Sequence, residues 1–195
     1  MVSKHLDYNS VDIKKAARFS VAPMMDWTDR HCRYFHRKFT KKSLLYTEMV
    51  ASAALVKGKA FHLLDFSNEE HPVALQLGGS DPSQLSEAAS IGEEYGYDEI
   101  NLNVGCPSDR VQSGDFGAVL MKNPKLVAKC CEAMNKNTSV DITVKCRIGV
   151  DDQNPYQILP EFLKYLCDAG ITRVIIHARK AILKGLSPKE NRDVP

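Results

Sequence analysis

A short apolar run followed by an amphipathic stretch recurs six times along the chain. The strand candidates are RFSVAPM (18–24), LLYTEMV (44–50), HPVALQL (71–77), YDEINLNVG (97–105), DITVKCRIG (141–149) and ITRVIIHAR (171–179). The third, fifth and sixth are rich in Val, Ile and Leu with little alternation, as expected where both faces of a parallel sheet are covered. Helical segments lie between them, and several have readable starts. Asp26 or Thr28 can cap DRHCRYFHRKF, Asp81 and Pro82 open PSQLSEAASIGEEYG, and Asn123 and Pro124 open PKLVAKCCEAMNKN. A cap residue followed by proline marks a helix start, because the first-turn N–H that proline lacks would have no partner anyway. Gly96 and Gly170 close two helices just before the next strand.

Strand–helix alternation with short connections implies an α/β fold built on a parallel sheet. No glycine-rich GxGxxG turn follows the first strand, where a doubly wound nucleotide-binding fold would want one. Distinctive residues stand instead at the ends of six strands: Pro23 and Met24, Glu48, Gln76, Cys106, Lys145 and His177. A barrel gathers its site from the C-terminal ends of all its strands, so the pattern predicts a (β/α)8 TIM barrel with about six βα units present. Residues 1–17 read as an N-terminal extension and 18–195 as a partial barrel. A complete barrel has eight units and typically about 250 residues. The expectation is therefore that the last two units lie outside the chain. Residues 1–195 alone would then expose two strand edges and an apolar inner face, associate, and fail as an enzyme.

Composition changes this picture little. With 44% hydrophobic and 26% charged residues the chain is an ordinary globular one. No run approaches the roughly 18 apolar residues of a membrane span, and the first twenty residues hold no apolar signal core. The six cysteines form no CxxC pair and no histidine cluster sits at zinc spacing, so no metal is expected and reduced thiols in a cytoplasmic protein are the simplest account.

The charge distribution says more than the net +2. Residues 60–109 contain no Lys or Arg and ten acidic residues. Basic residues concentrate at Arg30, Arg33, Arg37, Lys38, Lys41 and Lys42, and again at Arg179, Lys180, Lys184, Lys189 and Arg192. Such clusters suit a polyanionic partner, and they equally suit solvated helix faces.

The segment with most chemistry is NVGCPSDRVQSGDFGAVLM (103–121). Cys106 ends the fourth strand, Pro107 holds it extended, and Gly105, Gly114 and Gly117 permit turns in the loop that follows. A thiol at a barrel mouth can be a nucleophile or a proton donor; the other five cysteines read as buried small hydrophobes. Lys145 stands in an otherwise apolar strand and must reach the mouth or pair with an anion. It could hold an anionic cofactor ring, form a Schiff base as in lysine-dependent aldolases, or make a structural ion pair. His177 alone reads equally as a core histidine or a site residue, while the Gln76 amide could address a uracil-like ring edge. Their convergence on one mouth is what raises all four.

SVAPMMDWTDRHCRYFHR, LNVGCPSDRVQSGDFGA, VKCRIG and HARKAILKGLSPKENR resemble the tRNA-dihydrouridine synthases. More narrowly they resemble the bacterial A subfamily, associated with uridines 20 and 20a of the tRNA D-loop, and the match runs from about Arg18 to the last residue. The resemblance implies that Pro23, Met24 and Met25 line FMN and that Gln76, Lys145 and His177 contact it. It implies Cys106 as general acid and Asn103, Lys189 and Arg192 as tRNA contacts. NADPH would reduce FMN, reduced FMN would deliver hydride to C6 of the uracil, and Cys106 would protonate C5 from the other side. Cys146 departs from the subfamily, which often carries His there, and strand alternation should point it away from Lys145. The family's FMN phosphate site and C-terminal helical tRNA-binding domain would fall beyond Pro195, and the full-length form is expected to be a monomer. The rivals are a flavin barrel acting on a small molecule, a lysine-dependent aldolase, and an inactive relative that binds RNA weakly.

Overall fold

The computed structural model describes residues 12–195; most of the expected N-terminal extension, residues 1–11, lies outside the described residues. Six strands form one sheet in the order β1-β2-β3-β4-β5-β6, every neighbouring pair parallel. They are β1 (Ser20–Val21), β2 (Leu44–Ala51), β3 (Val73–Gly78), β4 (Glu99–Val104), β5 (Asp141–Cys146) and β6 (Val174–Ile176). Each coincides with the run that predicted it, β2 and β3 extending one residue beyond, to Ala51 and Gly78. The helices are α1 (Ile13–Ala16), α2 (Arg30–Phe39), α3 (Ser52–Val56), α4 (Pro82–Glu94), α5 (Asp109–Gln112), α6 (Pro124–Lys136) and α7 (Pro155–Asp168). Sequential parallel order with helices on one face is the geometry of a partial (β/α)8 barrel. The curved sheet is open, with β1 and β6 as its edges.

Helix starts follow cap chemistry. Asp81 and Asn123 accept from Gln84 and Leu126 backbone N–H, as their Asp–Pro and Asn–Pro sequences predict. Asn154 before Pro155 does the same for Tyr156 and opens α7. For α2 the expected caps are corrected: Asp29 is the N-cap, accepting from Cys32 N–H at 2.8 Å. Thr28 is buried one residue too early, where its hydroxyl oxygen accepts from Met24 N–H and donates to Met24 C=O, closing the loop after β1. Gly96 and Gly170 take positive φ (93° and 83°) just past α4 and α7, a conformation that costs glycine nothing.

The two faces of the sheet differ more than the sequence pattern suggested. Leu75, Leu77, Ile100, Leu102, Val104, Ile142, Val144 and Cys146 face the helices and join Leu85, Ala88, Val127, Cys131, Met134, Phe162 and Leu166 in one core. Gly92 lets α4 press onto that face; a Cβ there would sit 2.7 Å from Ile100 Cδ1 and Leu75 Cδ2. The alternate positions, Gln76, Glu99, Asn101, Asn103 and Thr143, face the barrel interior and are buried too. These strands therefore do alternate, apolar outward and polar inward, with both faces covered.

A buried polar inner face is tolerable only if its groups are paired. Glu99 accepts from the Tyr46 hydroxyl at 2.9 Å and from the Thr143 hydroxyl at 2.6 Å, and its other oxygen pairs with Arg173. Asn101 donates to Thr143 Oγ1, Gln76 donates to Asn101 Oδ1, and Asn103 donates to Gln76 Oε1, each at 2.8–2.9 Å. A continuous ladder thus climbs from the N-terminal end of the strands to Asn103. Residues 13–16 are not a plain extension: α1 packs Ala16 against Leu44, Tyr46 and Ala74 near that same end.

The basic segment 30–42 is also resolved. Arg33 is buried and pairs with buried Glu70 at 2.5 Å while donating to the carbonyls of Thr28 and Asp65. Arg37 is buried and donates to the carbonyls of Thr40, Ser43, Glu70 and Pro72. These two arginines tie α2 to the strand ends, and neither offers a guanidinium to a polyanion.

Candidate active site at the strand ends

Cys106 lies in the loop leaving β4, half-buried, with its thiol 3.4 Å from Ser108 Oγ. Its backbone is held on every side. Asn103 Oδ1 accepts from both Gly105 N–H and Cys106 N–H, at 3.0 and 2.9 Å. Cys106 C=O accepts from Ala118 N–H at 2.8 Å. Gly117 at φ +76° makes that return possible, since a Cβ there would lie 2.6 Å from the Cys106 carbonyl oxygen. The carbonyls on either side are bound as well, Gly105 by Arg147 Nε and Pro107 by Gln112 Nε2. The backbone that carries the thiol is thus tied to Asn103, Ala118, Arg147 and Gln112.

Lys145 pairs laterally with Asn103 in the β4–β5 ladder, so the two share the inner face one strand apart. Burial lowers the Lys145 pKa, and the nearby Arg147 lowers it further; the opposing influences are the thiols of Cys146 and Cys106, with no carboxylate among them. Among the described residues Lys145 makes no ion pair, so that account of this lysine finds no partner there. Cys146 is fully buried in the outer core, pointing away from Lys145 as alternation required.

His177 follows β6, its N–H donating to Cys146 C=O. Burial, then the charges of Arg147, Lys145, Arg179 and Arg192, push its pKa down to about 4, so the imidazole is neutral near pH 7. The mouth is therefore electropositive, and a neutral histidine is what such surroundings favour. Arg192 belongs to this field; Lys189 is exposed at the start of the Glu190–Arg192 turn and does not figure in it.

The structure places Cys106, Asn103, Lys145, His177 and Arg192 around one mouth. Pro23 and Met24 are half-buried and Met25 exposed just beyond β1, at the same end of the sheet. Gln76 is only 1% exposed, committed by one N–H and one carbonyl lone pair to its neighbours in the interior ladder. Asn103 is 9% exposed, its carbonyl oxygen satisfied twice and one amide hydrogen already used. The expectation that the other five cysteines are buried holds for Cys130, Cys131 and Cys146. It does not hold for Cys167, exposed on α7, nor for the half-buried Cys32. Both occupy helix positions whose faces are only partly covered.

Sequence reasoning missed Arg147, which is buried and reaches three carbonyls, and Gln112, which reaches two. Period-2 alternation from Lys145 could have put Arg147 on the same face. Nothing in the sequence marks Gln112. Among the described residues no His, Cys, Asp or Glu cluster could hold a metal ion, and no helix is long and apolar enough to cross a membrane.

A cysteine with its backbone held in place, near a lysine, an arginine and a neutral histidine, has the groups that proton transfer to an anionic or electron-rich ligand would require. The family model for dihydrouridine synthase (Dus) matches residues 20–195, and the chain belongs to this family. It is 61% identical over 178 residues to the tRNA-dihydrouridine(20/20a) synthase of Pasteurella multocida, covering 91% of this chain and 54% of the relative. It is 59% identical over 185 residues to the protein of the same name from Escherichia coli K12, covering 94% and 53%. The chain spans about half the length of the curated relatives it matches.

Proposed function

We propose that this chain carries the catalytic face of a flavin-dependent tRNA-dihydrouridine synthase, which reduces the C5–C6 double bond of uridines 20 and 20a in the D-loop. The observation that carries the reading is the fixed presentation of Cys106 on the same mouth as Lys145 and His177. Membership of the family and the names of relatives about 60% identical support tRNA as the substrate, with the cytoplasm as the compartment.

The residues present fit FMN. Lys145 offers a cation with no carboxylate partner, suited to a ring that carries negative charge when reduced. Pro23, Met24 and Met25 supply a wall at β1, Gln76 can spare one amide hydrogen, and neutral His177 can hydrogen-bond without adding charge. When bound and reduced by NADPH, the cofactor supplies the hydride taken up at C6 of the uracil.

Cys106 donates the S–H proton to C5 from the opposite face, and the thiolate left behind lies in the field of Lys145 and Arg147. The target base must leave its stack to reach the mouth. Asn103 offers it the one amide hydrogen not used internally, and exposed Lys189 and Arg192 hold neighbouring phosphates.

The test is direct. A protein of the relatives' length that carries this segment is given unmodified tRNA and NADPH, and dihydrouridine is mapped by mass spectrometry. Dihydrouridine at 20 and 20a is the expected result; turnover of NADPH without any modified uridine would overturn the reading.

A further inference from the structure

Two side chains bridge the loop that carries Cys106 and the loop that carries Lys189 and Arg192. Gln112 Nε2 donates to Pro107 C=O and to Leu183 C=O, both at 2.7 Å. A primary amide has two hydrogens, and Gln112 spends one on each loop. Arg147 repeats the pattern on the other side of the cysteine, donating from Nε to Gly105 C=O and from Nη1 to the carbonyls of Asn191 (2.9 Å) and Lys180 (3.3 Å).

The second loop is itself a folded unit. Asn191 is fully buried, accepting from Ile182 N–H at 2.7 Å and donating to Ile182 C=O at 3.0 Å. Asp151 accepts from Leu183 N–H at 2.9 Å and anchors the loop to the turn after β5. Its carbonyls at Leu183, Lys180 and Asn191 are held in turn by Gln112 and Arg147. The same two side chains hold the carbonyls flanking Cys106.

We propose that Gln112, backed by Arg147, is a positioning residue that couples the seating of the 183–192 loop on RNA to the placement of Cys106. The proposal rests on the reading that this loop engages tRNA and that Cys106 protonates the uracil. Gln112 spends both amide hydrogens on the protein's own carbonyls. It acts by making the geometry of the acid depend on whether the loop is engaged, so the proton is delivered only to a docked substrate.

The experiment uses the FMN-loaded protein of full length and the variants Gln112→Met, which has no donor, and Gln112→Lys, which keeps donors for both carbonyls. Gln112→Met should lower kcat for uridine reduction at least tenfold while KM for tRNA and NADPH-driven flavin reduction stay within twofold. Gln112→Lys should recover most of kcat. Hydrogen exchange gives a readout apart from turnover. Added tRNA should slow exchange at 183–192 in both wild type and Gln112→Met, but at 105–118 in wild type alone.

Unchanged kcat in Gln112→Met, equal protection of 105–118 in both proteins, or loss of FMN along with activity would each overturn the coupling. Wild-type protein that forms no dihydrouridine would instead overturn the functional reading, and the exchange pattern would still decide the coupling.

Discussion

Asn103 Oδ1 accepts the N–H of Cys106 at 2.9 Å while its own Nδ2 donates to Gln76 Oε1 at 2.8 Å. The residue that the family resemblance marks for tRNA contact is thus also the last rung of the interior ladder and the support of the Cys106 backbone.

Replacing Asn103 by Ala should accordingly do more than weaken tRNA binding. Two N–H groups, of Gly105 and Cys106, lose their acceptor, a cost of about 1–3 kcal/mol for each group left unsatisfied. Uridine reduction at saturating tRNA should fall by more than tenfold with FMN retained. A rise in KM for tRNA with kcat unchanged would restrict Asn103 to RNA contact.

Arg33 and Arg37 lead to a prediction opposite in kind. Glu70 is 1% exposed and its ion-pair partner is Arg33, so Arg33→Met strands a buried carboxylate. Breaking a buried pair from one side costs about 3–5 kcal/mol, which thermal denaturation would register as a large drop in Tm. The tRNA affinity of the folded variant should be unchanged at low temperature. A weakened Kd with normal stability would return the segment to RNA binding.

Much of this architecture was legible in the sequence, because strands and helices announce themselves locally. Short apolar runs between amphipathic stretches located all six strands, and Asp81–Pro82 and Asn123–Pro124 located two helix starts. What stayed hidden depends on distant partners. Arg33 and Arg37 look like a basic surface until Glu70 and the carbonyls of Ser43 and Pro72 close around them. Glu99, Asn101 and Thr143 are unremarkable polar residues until strand order stacks them with Gln76 in one ladder. Lys145 and His177 could be placed at strand ends, but which charged groups surround Lys145 depends on how distant segments fold around it.

His177 should stay neutral well below the usual range. Its pKa falls from 6.5 in the unfolded chain to about 4 in the fold, burial being the largest cause and Arg147 the next. Between those values the unfolded chain binds the proton and the folded one does not, so unfolding is favoured as pH falls. The stabilising contribution is full above pH 6.5 and lost as pH drops through that window toward 4. Chemical denaturation from pH 7 to 5 should show this loss, and His177→Gln should flatten it. An imidazole NMR titration with a midpoint near 6.5 would contradict the site's electrostatics.

Exposed Lys189 and Arg192 should govern RNA affinity and not flavin chemistry. Changing both to Glu should weaken tRNA binding and flatten its salt dependence, since fewer counterions are released on binding. NADPH oxidation by the bound flavin without tRNA should be unaltered. Equal loss of both activities would make the segment purely structural.

The central claim is that Cys106, fixed by Asn103 and Ala118, is the proton donor. The measurement that tests it most directly is single-turnover uridine reduction by the Cys106→Ala protein, pre-reduced with NADPH and mixed with saturating tRNA. Loss of a general acid costs roughly a hundredfold or more, so dihydrouridine formation should slow by at least that factor while flavin content and its reduction by NADPH remain those of the wild type. Dihydrouridine appearing at the wild-type rate would contradict the account.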